Sequence, residues 1–256
     1  MSDVLLYLWS SKRSYLLQGL DFYLNQADKR VLTQFGDLEE EAEQLARDEF
    51  NRMGQSAGPD ADPGDYADAA WDRGINHFQM LTDLHNQLLL SVAAGLYHQW
   101  EKQLHEWLVE ELNHSFPREI IGPAVWKANI DELLSLLISL GWDSGALLDV
   151  IEECRLVVNV HKHGLGPSFD DLKERHPNHI GVTSQAVAGG SLDFYDHTDL
   201  KITRDDLGRF YNALRDFWKA VPEHIYWNDA ATVPKWFEKA LNPVKDRKTP
   251  RNRGNR

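Results

Sequence analysis

Apolar positions along this chain recur mostly at intervals of three and four, the helical period, and only one short stretch alternates as a strand does. The pattern predicts an amphipathic helix from Ser14 to about Val31 and a second from Asp37 to Met53. Asp37 is placed to cap the second, Glu39, Glu40 and Glu41 suit the positive end of its dipole, and Gly54 ends it. A very long helical stretch follows from about Ala67 to Asn113, carrying Leu88, Leu89, Val92, Leu96, Trp100, Leu104, Trp107, Leu108 and Leu112 at helical spacing. Unbroken, it would span on the order of 60 Å, so a break is expected near Gly74. After Pro117 and Pro123, Val125 to Leu140 reads as another helix, ended by Gly141. Asp143 or Ser144 then starts the next, which the run His163-Gly164-Leu165-Gly166-Pro167 stops.

Phe169 to Arg175 makes one or two further turns. The alternation of Leu192 and Phe194, then Leu200 and Ile202, suggests a short β-hairpin or extended arm. Thr203-Arg204-Asp205-Asp206 resembles a capping box, and Leu207, Phe210, Tyr211, Leu214, Phe217 and Trp218 form the apolar stripe of the last core helix. An aromatic stripe at that spacing reads as core and not as a platform for bases. Gln55 to Asp65 is loop-like by composition. Its aspartates do not make a calcium loop, because Gly64 stands one place early and the closing Glu is missing. The expected organisation is an N-terminal helical extension (1–55), an acidic linker (56–66), a helical domain (67–222) and a C-terminal segment with a basic tail (223–256). No internal repeat is visible.

Composition narrows the classes without naming one. With 42% apolar and 26% charged residues the chain is that of an ordinary globular protein. Cys154 is the only cysteine, which excludes an intramolecular disulfide and any zinc site with two thiolates. Between Ile151 and Val158 it reads as a small buried hydrophobe. The formal net charge of −13 argues against a surface that coats nucleic acid, although the tail from Lys245 to Arg256 is locally basic. The first residues carry no positively charged leader, and the longest apolar run, Leu88 to Leu96, is too short to cross a bilayer. A soluble, cytoplasmic protein is the expectation. No phosphate loop, dinucleotide fingerprint or nucleophile elbow occurs.

Chemistry concentrates in the helix from about Asp143 to His163. Leu147, Leu148, Val150, Ile151, Cys154, Leu156, Val157, Val158 and Val160 make it apolar nearly all round, so its polar residues need a reason. Arg155, Asn159, Lys162 and His163 fall within an arc of roughly 100°. A buried guanidinium without a partner is very costly, so this face should meet carboxylates, a ligand, or a second subunit. A purely structural account is also available. Basic residues in a last turn suit the dipole, Arg155 could pair with Glu152 or with an acid on the long helix, and Asn159 could bond a neighbouring backbone. On the long helix, His98, Glu101 and His105 share a face but lack the spacing of a di-iron or zincin site. Glu101 is instead a candidate to support Arg155 or Lys162 from across the bundle.

Arg155-Leu-Val-Val-Asn159-Val-His161-Lys162-His163-Gly164, near the end of an apolar helix that follows a long helix rich in Leu and Trp, resembles the HEPN superfamily. The signature there is Arg, four to six residues, then His. The resemblance covers about Ile75 to Pro222 and is closer to a divergent branch ending Asn-x-x-Lys-His-Gly, matched by Asn159, Lys162, His163 and Gly164. Leu156 stands where a polar residue usually follows the Arg.

The resemblance implies an all-α bundle of four or five helices, often a homodimer. It also implies a metal-independent endoribonuclease without cofactors, of the kind found in toxin, antiphage and abortive-infection systems, whose partners would be RNA and a cognate antitoxin or operon-encoded protein. A neutral His161 or His163 would take the proton from a ribose 2′-hydroxyl, while Arg155 and Lys162 stabilise the phosphorane and Asn159 helps to bind the substrate. The products would be a 2′,3′-cyclic phosphate and a 5′-hydroxyl. The family's spacing points to His161 and helical geometry to His163. The rival expectation is a non-catalytic helical binding or regulatory subunit of a defence or toxin–antitoxin assembly, which the acidic balance and Leu156 favour.

Overall fold

The computed structural model describes residues 4–56, 58, 62–142, 145–181, 195–228 and 232–248, with 242–248 described as backbone alone. The fold is all-α, with one small two-stranded sheet among the described residues. In chain order the elements are β1 (Val4–Tyr7), α1 (Ser10–Arg30), α2 (Leu38–Gln55), α3 (Pro63–Leu112), α4 (Arg118–Lys127), α5 (Ile130–Ser139), α6 (Leu147–His163), α7 (Pro167–Arg175), α8 (Arg204–Ala220), β2 (His224–Tyr226) and α9 (Lys235–Lys248). No helix among the described residues is long and apolar enough to cross a membrane.

The chain forms two compact units. One comprises Met1–Phe22, Gly95–Arg155 and Arg209–Arg256, the other Tyr23–Ala94 and Leu156–Gly208. The helices α1, α3, α6 and α8 contribute residues to both.

In the first unit the core is aromatic. Trp100 and Trp107 of α3 meet Phe217 and Trp218 of α8 edge to face, with ring centroids 5.0 and 5.7 Å apart, and Trp142 meets Phe217 at 5.0 Å. These are edge-to-face geometries, which aromatic quadrupoles favour. β1 pairs antiparallel with β2, Leu6 opposite Ile225, with an irregular step between Val4 and Leu6. The Trp107 indole N–H donates to the Tyr7 carbonyl at 3.2 Å, and the Tyr7 N–H donates to the buried Glu111 carboxylate at 3.0 Å. Burial pushes the Glu111 carboxyl up, and that N–H partly offsets the effect.

Asp21 of α1 accepts from the Tyr211 hydroxyl at 2.7 Å and from Arg215 Nε at 2.8 Å, both on α8. Burial alone would raise its carboxyl, but the bonds from Arg215 and Tyr211 outweigh it and hold the group below its ordinary 3.8. A lowered folded-state value means stability that is present at neutral pH and lost as pH falls through the carboxylate range. Asp21→Asn is therefore expected to flatten the decline in stability below about pH 4, measured by urea unfolding at a series of pH values.

The second unit packs Leu89, Leu90 and Ala93 of α3, Leu156, Val157 and Val160 of α6, and Phe169 and Leu172 of α7, all buried. Ile180 and Leu200 form an isolated antiparallel bridge. Asn86 of α3 satisfies the backbone beside that bridge, donating to the Leu200 carbonyl at 2.8 Å and accepting from the Ile202 N–H at 3.3 Å. The hairpin expected of Leu192, Phe194, Leu200 and Ile202 falls in part on Leu192 and Phe194, which lie outside the described residues, and Leu200 bridges Ile180 instead. Asp143 and Ser144, the expected start of α6, also lie outside the described residues. Asp37 caps α2 as expected, accepting from the Glu39 and Glu40 N–H groups at 3.1 Å each. The Thr203/Asp206 capping box is also present.

Three local expectations are corrected. α3 is continuous through Gly74, and it starts at Pro63, inside the stretch read as linker. A Cβ on Gly74 would lie 3.0 Å from the Ala46 Cβ and 3.1 Å from the Ala42 carbonyl oxygen, so this glycine lets α2 approach closely and does not end a helix. The helix expected from Val125 to Leu140 is two, α4 and α5. Asn129 caps the second through a reciprocal bond with Glu132, 2.9 Å in each direction, and Pro123 sits inside α4. The run Val4–Tyr7, for which no element was expected, is a strand.

Candidate functional site

α6 forms because apolar side chains surround it, and it stops where Gly164 takes a φ of 72°, which an L side chain rarely adopts. A Cβ there would also lie 3.1 Å from the His197 ring. Ile151, Cys154, Leu156, Val157, Val158 and Val160 are buried. Burial pushes the Cys154 thiol far up, so it stays protonated and acts as a small hydrophobe.

Arg155 belongs to the first unit. Its Nε donates to one Glu152 oxygen at 2.6 Å and a terminal nitrogen donates to the other at 2.7 Å, an i, i−3 fork on the same helix. Asp131 of α5 approaches to 3.9 Å. The Glu152 hydrogen bonds raise the arginine further above its ordinary value and outweigh burial, so the cation is permanent. Beside it lies a groove of about 270 Å³ between α5 and α6, lined by Leu134, Ile138, Asp131, Asp149, Glu152 and Arg155 among others. Three carboxylates and one guanidinium line the groove, so its formal charge is negative.

Asn159, His161, Lys162 and His163 belong to the second unit. Asn159 is half-buried and its amide nitrogen is 3.4 Å from the Ser168 hydroxyl of α7, a side-chain partner where the purely structural account offered a backbone one. His161 is half-buried, and burial holds its imidazole below the ordinary value, so it is neutral at pH 7. Lys162 and His163 are exposed. The two histidines thus differ in setting: His161 is half-buried, and His163 is a solvent-facing residue of the last turn.

On α3, Glu101 faces His98, its carboxylate 3.1 Å from Nδ1. The buried His105 has its ring nitrogens 2.9 and 3.2 Å from the carbonyl oxygens of Glu101 and Ala128, and it stacks on Trp126 at 4.8 Å. His98, Glu101 and His105 therefore do not converge on one point. Sequence reasoning had Glu152 among the partners of Arg155, from its i−3 position. It missed Asp131 and Ser168, because neither shares a helix with the residue it meets.

No family model, no curated protein and no solved structure matches this chain. What the fold and the site define is a class: an all-α protein whose apolar α6 carries one internally paired arginine and one shielded neutral histidine.

Proposed function

We propose that this protein is a non-catalytic helical binding subunit, of the kind that the resemblance of Arg155 to Gly164 to the HEPN superfamily would imply for a defence or toxin–antitoxin assembly. One observation carries the reading: the Arg155 guanidinium is forked onto Glu152, with Asp131 close by. The charge that would stabilise a phosphorane is thus already offset by Glu152 and by the nearby Asp131. A phosphodiester entering the groove beside Arg155 would share it with Asp131, Asp149 and Glu152, and like charges disfavour its approach.

A second reading, metal-independent RNA cleavage, is supported by His161, whose neutral and half-buried imidazole suits removal of a 2′-hydroxyl proton. One assay separates the two. Total RNA incubated with the protein and a chelator is expected to stay intact with the wild type and with Arg155→Ala, His161→Ala and His163→Ala alike. Cleavage that leaves 2′,3′-cyclic phosphate ends and disappears in Arg155→Ala and His161→Ala would overturn the binding reading in favour of the nuclease.

A further inference from the structure

Within the second unit, α2 and the first turns of α3 pack as an antiparallel pair through small residues. Ala42 and Ala70 are buried, and Gly74 lies against Ala42 and Ala46. Arg73 pairs with Glu49, and His77 lies 3.2 Å from Glu41. A seam of alanine and glycine leaves the large apolar residues outside it. Trp71 is 62% exposed, and Phe50, Ile75 and Phe78 are also exposed. Trp71, Ile75 and Phe78 stand at i, i+4 and i+7, within an arc of roughly 60° on one side of α3. Phe50, Trp71, Ala46, Ala67 and Ala70 line a groove of about 420 Å³ between the two helices, together with Glu43 and Arg47, which pair with each other at 3.2 Å. Contiguous exposed aromatics of this kind mark interaction surfaces on soluble proteins.

Charge selects the occupant. From Asp37 to Leu84 the sequence holds thirteen acidic residues and three basic ones, which accounts for most of the chain's net −13. A second copy would bring the same negative field to the same face, and RNA or an anionic membrane would be repelled likewise. A cationic amphipathic helix satisfies both properties: its apolar i, i+3, i+4 and i+7 side chains cover the aromatic stripe while its Lys and Arg meet exposed acids such as Asp68 and Asp72.

We propose that the α2–α3 face is a docking surface for a basic amphipathic helix of a partner protein. The proposal rests on the binding-subunit reading but on different residues, so the RNA assay and the experiment below fail independently.

The probe is a fluorescein-labelled peptide of about 18 residues, long enough for several helical turns, with Leu and Phe on one face and Lys and Arg on the other. A twin keeps the apolar face and carries Glu in place of the cations. Fluorescence anisotropy with the full chain is expected to show micromolar binding of the cationic peptide, weakened at about 0.5 M salt, and none of the twin. The double variant Phe50→Ala/Trp71→Ala changes only exposed side chains, and its fold is checked by circular dichroism. It should weaken binding about tenfold or more, because buried aromatic anchors carry most of an interface's energy. Equal binding by the double variant would reduce the effect to diffuse charge attraction and overturn the proposal, as would equal binding of the twin. A concentration-dependent dimer abolished by Trp71→Ala would overturn it too, assigning the face to a second copy.

Discussion

Replacing Trp218 with alanine is expected to lower the free energy of unfolding by about 4 kcal/mol, through lost packing and a lost buried hydrogen bond together. Trp218 is fully buried in the first unit, edge-on to Trp107 and Phe217. Its indole N–H donates at 3.0 Å to Gln103 Oε1, while Gln103 Nε2 donates at 3.0 Å to the Leu16 carbonyl. The truncation opens a cavity in a packed aromatic cluster and also strips a buried amide of its donor. Both effects place the loss in the upper half of the range for a buried tryptophan. Urea unfolding followed by circular dichroism measures it, and Trp218→Phe separates the parts. The phenyl ring keeps most of the packing but removes the donor and leaves part of the indole's volume empty, so that variant should lose about 2 kcal/mol. A loss under about 1 kcal/mol in the alanine variant would show that the cluster yields to solvent without consequence.

The second large effect belongs to Arg209→Met, expected to cost about 3 kcal/mol. Arg209 at the start of the first unit's part of α8 forks onto Glu153 of α6, two bonds of 2.6 Å, and the Glu153 side chain is only 8% exposed. Without the guanidinium, that carboxylate loses its bidentate partner while remaining out of water. Breaking a buried pair costs about 3–5 kcal/mol, and the low end applies because Arg209 sits at the edge of solvent. The double variant Glu153→Leu/Arg209→Met is expected to recover most of the loss, since an apolar pair of similar volume carries no desolvation penalty. If the double variant were as unstable as the two single losses combined, the pair would be contributing through something other than their mutual charge.

The site itself divides along the same line as the fold. The pairing of Arg155 with Glu152 was readable because three residues on one helix put the two side chains over the same turn. That the pair then stands beside Asp131, and that Asn159 reaches Ser168, depends on which helices pack together. The difference between His161 and His163 is of the same nature. Both lie in one turn of one helix, and only the surroundings decide that the first is half-buried while the second faces solvent.

What the sequence determined by itself is whatever spans a few residues. The helical periods, the Asp37 cap, the Thr203/Asp206 capping box and the stop at Gly164 are satisfied by neighbours in the chain, so their causes are written locally. The Asn129/Glu132 box was equally local, but an apolar run passing through it masked the boundary. Tertiary structure alone decided that Val4–Tyr7 is a strand, since its partner lies more than two hundred residues away. It also decided that Gly74 admits a neighbouring helix where the sequence suggested a break. Short-range hydrogen bonds and periodicity choose the elements. Which faces meet is a matter of packing between distant segments, and a stretch read by itself carries no record of its distant neighbour.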